Sequence, residues 1–275
     1  MKNSMNNYME IILPFLKKSG KMALKNQTLI SGHNKVDGSI VTETDLAISK
    51  DFGKLIKSNF ENHYILDEEK ALKEKNLQEK VVNSEYVWII DPIDGTKTYF
   101  HGSNLFAIAL SLYKNMKPIF GVIYLPALKE IIYNDGEQVY NIKNAFTSKE
   151  TKLPISFQKQ ELNKNSLIYF PVKHVADYIK DYKFTFLDGY SAYIYAFDVF
   201  NNISQGCFLK NNISMWDVYS SLPIANAIGL KIYNIENNIQ LSQLDFNLFK
   251  KDFKAKNIWL ICHPCYKDEL MSIIK

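Results

Sequence analysis

Asp91 and Asp94 are separated only by Pro92 and Ile93 and follow the apolar run Val87-Trp-Ile-Ile90. A short apolar run of this kind reads as a buried strand, so both carboxylates stand at a strand's exit, where the chain turns. Two carboxylates so close repel each other unless a cation neutralises them. No His or Cys stands beside them, and an oxygen-only donor set selects a hard cation, Mg²⁺ before Zn²⁺. Gly95 permits a close backbone approach, and Gly95-Thr96 at the start of a turn or helix offers N–H groups to a phosphate. The same string also reads as a structural Asp-Pro turn followed by an Asp-Gly turn. On these residues alone both readings stay open.

The longer string Trp88-Ile-Ile-Asp91-Pro-Ile-Asp94-Gly-Thr96-Lys-Thr-Tyr-Phe-His101 resembles the first signature of the inositol monophosphatase family at every defined position. Upstream, Val41-Thr-Glu-Thr-Asp45 resembles the family's Val-Thr-x-x-Asp block, and Asp67-Glu68-Glu69 is similar to its Gly-Glu-Glu block, with Asp67 in place of the glycine. Downstream, Ser214-Met-Trp216-Asp217 resembles the Trp-Asp pair of the second signature, from which Tyr219 and Leu230 depart. Taken singly, Asp45 reads as a helix cap, Glu68 as a surface carboxylate and Asp217 as an N-cap. Together, in this order and at these intervals, they imply one ion cluster.

The resemblance implies two Mg²⁺ ions, with a third near Glu68. Glu68, Asp91 and the Ile93 carbonyl would hold one ion, and Asp91, Asp94 and Asp217 the second. Thr96 and Asp45 would draw the proton from an attacking water, Glu68 acting through its ion, while Gly95 and Thr96 bind phosphate oxygens. Lithium inhibition is expected on the same ground. The implied fold is α+β, a layered α/β/α/β/α sandwich, and the implied assembly a homodimer.

On the substrate side, Gly189-Tyr-Ser191-Ala192 resembles the family's Gly-x-x-Ala segment, although Ser191 equally reads as a helix cap. Lys210 stands where inositol-preferring members carry a glutamate. Lys35-Val-Asp-Gly-Ser39, Gly102 with Phe106 beyond it, and Pro223 are similar to a histidinol-phosphatase-like branch, and Lys97 occurs in nucleotide-bisphosphate relatives as well. Tyr190, Tyr193 and Tyr195 read as core or interface residues before they read as a ring-stacking set. The expectation is a phosphomonoesterase of a small phosphorylated alcohol, inositol monophosphate or histidinol phosphate. The alternatives are a 3'(2'),5'-bisphosphate nucleotidase and a catalytically silent member acting as a binding protein.

The elements that must carry these residues are partly visible. Met5, Met9, Ile12, Leu13 and Leu16 have helical spacing, disturbed by Pro14. Ile48, Phe52, Leu55 and Ile56 predict a helix after Thr42-Glu-Thr44, with Asp45 near its start. Residues 70–80 read as a solvated loop or short exposed helix. Strands follow at 87–90, at Phe106, Ile108, Leu110 and Leu112, at 119–125 and at 131–133, and short turns between them predict an antiparallel sheet. Beyond these come a strand near 166–170, helices over 191–200 and 216–228, and a buried C-terminal strand at 258–261. An N-terminal half, 1–145, would carry most metal ligands, and a C-terminal half, 146–275, Asp217 and the substrate-side residues.

With 275 residues and 47% hydrophobic content, the chain can bury a large core. A net charge of +4, dispersed along the sequence, gives no basis for a nucleic-acid partner. No apolar run approaches the roughly 20 residues needed to cross a bilayer, and the N-terminal residues lack the pattern of a secretory signal. Three cysteines, an odd number, argue against a disulfide framework, and Cys262-His-Pro-Cys265 reads as the end of a buried strand rather than as half of a zinc site. A cytoplasmic protein with no membrane partner is the expectation.

Overall fold

In the computed structural model, which describes residues 2–29, 32–34, 40–170, 179, 183–187, 191–210 and 213–274, the first helical pattern becomes α1 (Lys2–Asn26), unbroken at Pro14. Proline removes one helical N–H and so frees the carbonyl four residues earlier. Pro14 and Glu10 are both exposed, leaving that carbonyl on the solvent side. Met9, Ile12 and Leu16 are buried, and Gly20 brings the helix so close to the sheet below that a Cβ there would sit 2.3 Å from the Tyr124 ring. The side chain of Met5, the segment 35–39, Gly189 and Tyr190 lie outside the described residues.

A two-stranded ribbon, β1 (Gly32–Asn34) and β2 (Ile40–Thr42), leads into α2 (Glu43–Asn59), which buries Ile48, Phe52 and Ile56 as its spacing predicts. Next come β3 (His63–Asp67), the short helices α3 (Glu68–Ala71) and α4 (Leu77–Val82), and β4 (Tyr86–Asp94). Residues 70–80, expected to be solvated, bury Ala71 and Leu77 while their lysines stay outside. After α5 (Thr96–Phe100) the chain runs through β5 (Ala107–Lys114), β6 (Lys117–Leu125), β7 (Glu130–Asn134), β8 (Val139–Lys143) and β9 (Thr151–Ile155). Among the described residues β3 to β9 form one seven-stranded sheet in sequence order. It is antiparallel from β4 onward, as short turns require, and β3 joins β4 in parallel because α3 and α4 form the crossover.

The second half contributes β10 (Leu167–Tyr169), β11 (Thr185–Leu187), α6 (Ala192–Phe200), β12 (Gly206–Leu209), α7 (Met215–Tyr219), α8 (Leu222–Ala227), β13 (Lys231–Asn234), β14 (Ile239–Gln240), β15 (Trp259–Cys262) and α9 (Lys267–Ser272). Its strands form a second sheet in the order β11-β10-β12-β15-β13-β14. The single helix expected over 216–228 is two: Pro223 lies in the first turn of α8, where a missing N–H is harmless, and the chain restarts there. Cys207 and Cys262 are buried free thiols and Cys265 is exposed, so the Cys-x-x-Cys string is a strand end.

Alternation along the strands sorts the core into layers. One face of the first sheet, with Trp88, Ile90, Leu110 and Leu112, packs under α1 and α2. Its other face, with Val87, Ile89, Ala107 and Ala109, meets α6, α7 and α8, which also cover Leu209, Trp259 and Ile261 of the second sheet. The far face of that sheet, with Phe208, Leu260 and Cys262, packs against Leu270 of α9. The order is helix, sheet, helix, sheet, helix.

The strand bearing Asp91 is anchored by Trp88. Its indole is fully buried, edge-on to Phe52 at 5.8 Å and to Phe120 at 6.0 Å, and its Nε1 donates to His63 Nδ1 at 3.0 Å. Phe60 and Tyr86 sandwich the His63 ring at 4.7 and 4.4 Å. Burial holds His63 below its ordinary pKa of 6.5, which keeps Nδ1 available as an acceptor. Replacing the ring in His63→Leu strands a buried indole N–H, and unfolding in urea should show a loss of about 1–3 kcal/mol. Because the folded pKa is depressed, the contribution of His63 is complete above pH 6.5 and is lost as pH falls; the variant should lack that part of the acid sensitivity.

Candidate active site

The carboxylates converge through a single irregularity in β4. Asp91 pairs with Ala109 and Asp94 with Ala107, so one extra residue is accommodated on β4 between them. In a regular pleat residues three apart face opposite sides; the bulge puts both aspartates on the face toward α7. Ala107 and Ala109 across the ladder are small enough to leave room. The bulge also takes the Ile93 carbonyl out of regular pairing, and it accepts the Thr96 hydroxyl at 2.8 Å. Gly95, with φ of +80°, turns the chain into α5; a Cβ there would lie 3.0 Å from Thr98 Oγ1 and 3.1 Å from the Leu105 carbonyl.

Asp217 arrives on α7 from the opposite side. Carboxylate oxygens of Asp91, Asp94 and Asp217 all lie within 4.8 Å of one another. Asp91 is 1% exposed, and among the described residues its Oδ1 is buried with no hydrogen-bond partner. Burial first, then the charges of Glu68, Asp94 and Asp217, hold the Asp91 carboxyl well above the usual carboxylate range, and Glu68 hydrogen-bonds to it. Burial pushes Asp94 up to about 6 against the pull of Ser191 and the Tyr193 amide. Asp217 is raised by burial and then by Asp94 and Glu68, with Lys254 pulling the other way. A bare, buried, anionic oxygen facing other carboxylates is the environment a hard cation fits.

Each outer aspartate is steadied by backbone donors on one oxygen. Asp45 and Asp217 are both the third helical residue of a capping box: the Thr42 amide donates to Asp45 Oδ2 at 2.9 Å and the Ser214 amide to Asp217 Oδ2 at 3.0 Å. Asp45 Oδ1 then faces Thr96 Oγ1 at 3.4 Å, a long contact whose hydroxyl proton is given more closely to the Ile93 carbonyl. Asp94 Oδ2 accepts from the Ser191 hydroxyl and from the Tyr193 amide at 3.0 Å, at the start of α6. Ser191 is at once the N-cap of α6 and a neighbour of Asp94, so its two readings coincide.

Other residues singled out in the sequence fall elsewhere. Lys210 is exposed just past β12, and among the described residues no hydrogen bond ties it to the carboxylates. Tyr193 is fully buried with its hydroxyl on the Trp216 carbonyl at 2.8 Å, and Tyr195 stacks on Tyr169 at 4.7 Å, so both are packing residues. Asp67 adopts φ −111°, an extended conformation that does not call for glycine. Its carboxylate accepts from Ser49 and Lys70, neither of which the sequence marked. The clue available was Ser49 standing one helical turn beyond Asp45, on the same face of α2.

Comparison with known proteins agrees with this geometry. A family model described as the inositol monophosphatase family matches residues 7–266. An inositol monophosphatase of Dictyostelium discoideum is 30% identical over 132 residues, 46% of each chain. The aligned parts span about half the length of the curated relatives matched. The IMPase of Thermotoga maritima superposes with a TM-score of 0.71 at 18% identity, covering 97% of this chain and 96% of that one. An IMPase/NADP phosphatase complexed with NADP and Ca²⁺ gives 0.75 at 16%, covering 98% and 95%. At such identities the superpositions establish the layered fold, and the family match takes in every carboxylate of the site, from Asp45 to Asp217. By fold and by sequence the chain belongs to the inositol monophosphatase family.

Proposed function

We propose that the chain is a Mg²⁺-dependent phosphomonoesterase acting on a small phosphorylated alcohol. The observation that carries this reading is the trio Asp91, Asp94 and Asp217, with one buried oxygen on Asp91 that has no partner among the described residues. Glu68, Asp91 and the Ile93 carbonyl would hold one ion and Asp91, Asp94 and Asp217 another. Bound Mg²⁺ supplies Lewis acidity, offsetting charge on the phosphoryl oxygens and making a water acidic enough to attack near neutral pH.

The remaining work belongs to side chains and amides. Thr96 would accept the water's proton on Oγ1 while its own proton, given to the Ile93 carbonyl at 2.8 Å in this structure, turns to Asp45 Oδ1, 3.4 Å away. Asp45 is fit for this because its other oxygen is occupied by the Thr42 capping box, which fixes the carboxylate. The Thr96 amide, with the Gly95 amide that in this structure donates to Asp94, would bind phosphate oxygens, and burial of Asp91 keeps competing water from its carboxylate. Ser191 and Lys210 stand on the alcohol side of the same proposal. Inositol monophosphate and histidinol phosphate are the first substrates, and a 3',5'-bisphosphate nucleotide the next. Within the same reading the chain is a cytoplasmic homodimer, a state that light scattering measures directly.

The decisive assay is Mg²⁺-dependent release of phosphate from p-nitrophenyl phosphate and from the named esters. Activity on none of them, with Mg²⁺ bound, would make the chain a binding protein instead. Asp94→Asn should lower turnover by more than about 100-fold while the melting temperature holds or rises, since a repelling buried charge is gone. Full turnover in that variant would sink the mechanism.

Metal-free, the site should also oppose folding in a pH-dependent way. Asp94 is raised from 3.8 to about 6, so its contribution is present below its ordinary value and is lost as pH rises through about 6. Mg²⁺ at 100 times its Kd restores about 2.7 kcal/mol. The Mg²⁺-induced rise in melting temperature should be several degrees at pH 7 and clearly smaller at pH 5.

A further inference from the structure

Glu68 is delivered to the site by very little structure. Helix α3 is only Glu68–Ala71, one turn, and a single turn does not hold itself together without outside contacts. Position 67 immediately precedes it, at the end of β3 opposite Ile90, so the geometry of Asp67 decides how the Glu68 side chain meets Asp91 on the neighbouring strand.

Asp67 is 2% exposed and its carboxylate is fully engaged. Oδ1 accepts the Glu69 amide at 3.1 Å. Oδ2 accepts the Ser49 hydroxyl from α2 and the Lys70 ammonium at 2.5 Å, and that ammonium also reaches Ser49 Oγ at 3.1 Å. One carboxylate therefore joins α2, the end of β3 and both the first and second residues after Glu68. These donors engage both oxygens of Asp67. The tether also fixes Lys70, whose ammonium would otherwise be free to approach the carboxylates of Glu68 and Glu69. A glycine at position 67, as in the family's block, offers none of these contacts.

Resting on the reading of Glu68 as a cation ligand, we infer that Asp67, Lys70 and Ser49 form a positioning tether that holds Glu68 in place and sets the affinity of the site for Mg²⁺. None of the three touches substrate. Ser49 couples the tether to Asp45, one turn earlier on α2, so the residue behind Thr96 and the residue that orients Glu68 are carried by one helix face.

The test is calorimetric titration of Mg²⁺ into the substrate-free chain, with circular dichroism and melting recorded in parallel. Partners that orient a ligand typically change metal affinity 10- to 100-fold when removed. Asp67→Gly and Lys70→Ala should each weaken Mg²⁺ binding by about tenfold or more, raise the Mg²⁺ concentration for half-maximal activity in parallel, and leave substrate KM at saturating Mg²⁺ unchanged. Lys70→Arg, which keeps the charge and the donors, should bind Mg²⁺ like the parent chain. If Asp67→Gly is poorly folded, Ser49→Ala and Asp67→Asn remove the contacts more gently and should show the same weakening in smaller measure. Unchanged affinity in folded variants, with only a lower melting temperature, would overturn the tether and reduce it to a stabilising ion pair. A parent chain that binds no Mg²⁺ would overturn the reading of the site as well. A parent that binds Mg²⁺ and hydrolyses nothing, with weakened binding in the variants, would uphold the tether while the phosphatase reading failed.

Discussion

Like charges held together inside a protein are the condition on which this structure turns. Carboxylate oxygens of Asp91, Asp94 and Asp217 lie within 4.8 Å of one another, and among the described residues the buried Asp91 has an oxygen with no hydrogen-bond partner. Such an arrangement is unfavourable by several kcal/mol per uncompensated ion, of the order expected for buried charges. The fold opposes that penalty by giving the outer aspartates backbone donors on one oxygen each: the Thr42 amide for Asp45, the Tyr193 amide for Asp94 and the Ser214 amide for Asp217. What faces the centre is one oxygen each of Asp94 and Asp217, together with Asp91, while the other oxygen of Asp45 faces Thr96.

The layers follow from that requirement. The donors for Asp94 and Asp217 come from α6 and α7, which pack between the two sheets, while Asp45 comes from α2 on the outer face of the first sheet. The site thus needs helices on both sides of β4. The second sheet supports the far side of α6 and α7 through Leu209, Trp259 and Ile261, and so contributes to the site without carrying a carboxylate of the trio.

Much of this was legible in the sequence because it is local. The apolar run before Asp91, the alternation from Phe106 to Leu112 and the helical spacing from Ile48 to Ile56 each follow one period, and each became the element it announced. The capping boxes Thr42 to Asp45 and Ser214 to Asp217 are equally local, yet Asp45 and Asp217 taken singly read as lone caps, and only the resemblance placed them at the site. What one period cannot express stayed hidden: the bulge that turns Asp94 onto the face of Asp91, the break at Pro223, and the partners of Asp67, of which Ser49 lies 18 positions away on another element. In the second sheet β10 and β15 were legible, whereas β11, β12, β13 and β14, two to four residues each, hold too little pattern.

The bulge also limits how this stretch of chain can change over evolutionary time. Side chains around it are open to exchange, but its length is not. Deleting one residue between Asp91 and Asp94 would restore the regular pleat, keep both aspartates on one face and draw the Ile93 carbonyl back into the ladder. Inserting one more than the single residue that the bulge absorbs would turn Asp94 toward α1 and α2, away from Ser191 and Tyr193. Insertions and deletions, harmless in most exposed loops, are here the changes that a lineage keeping this site cannot accept.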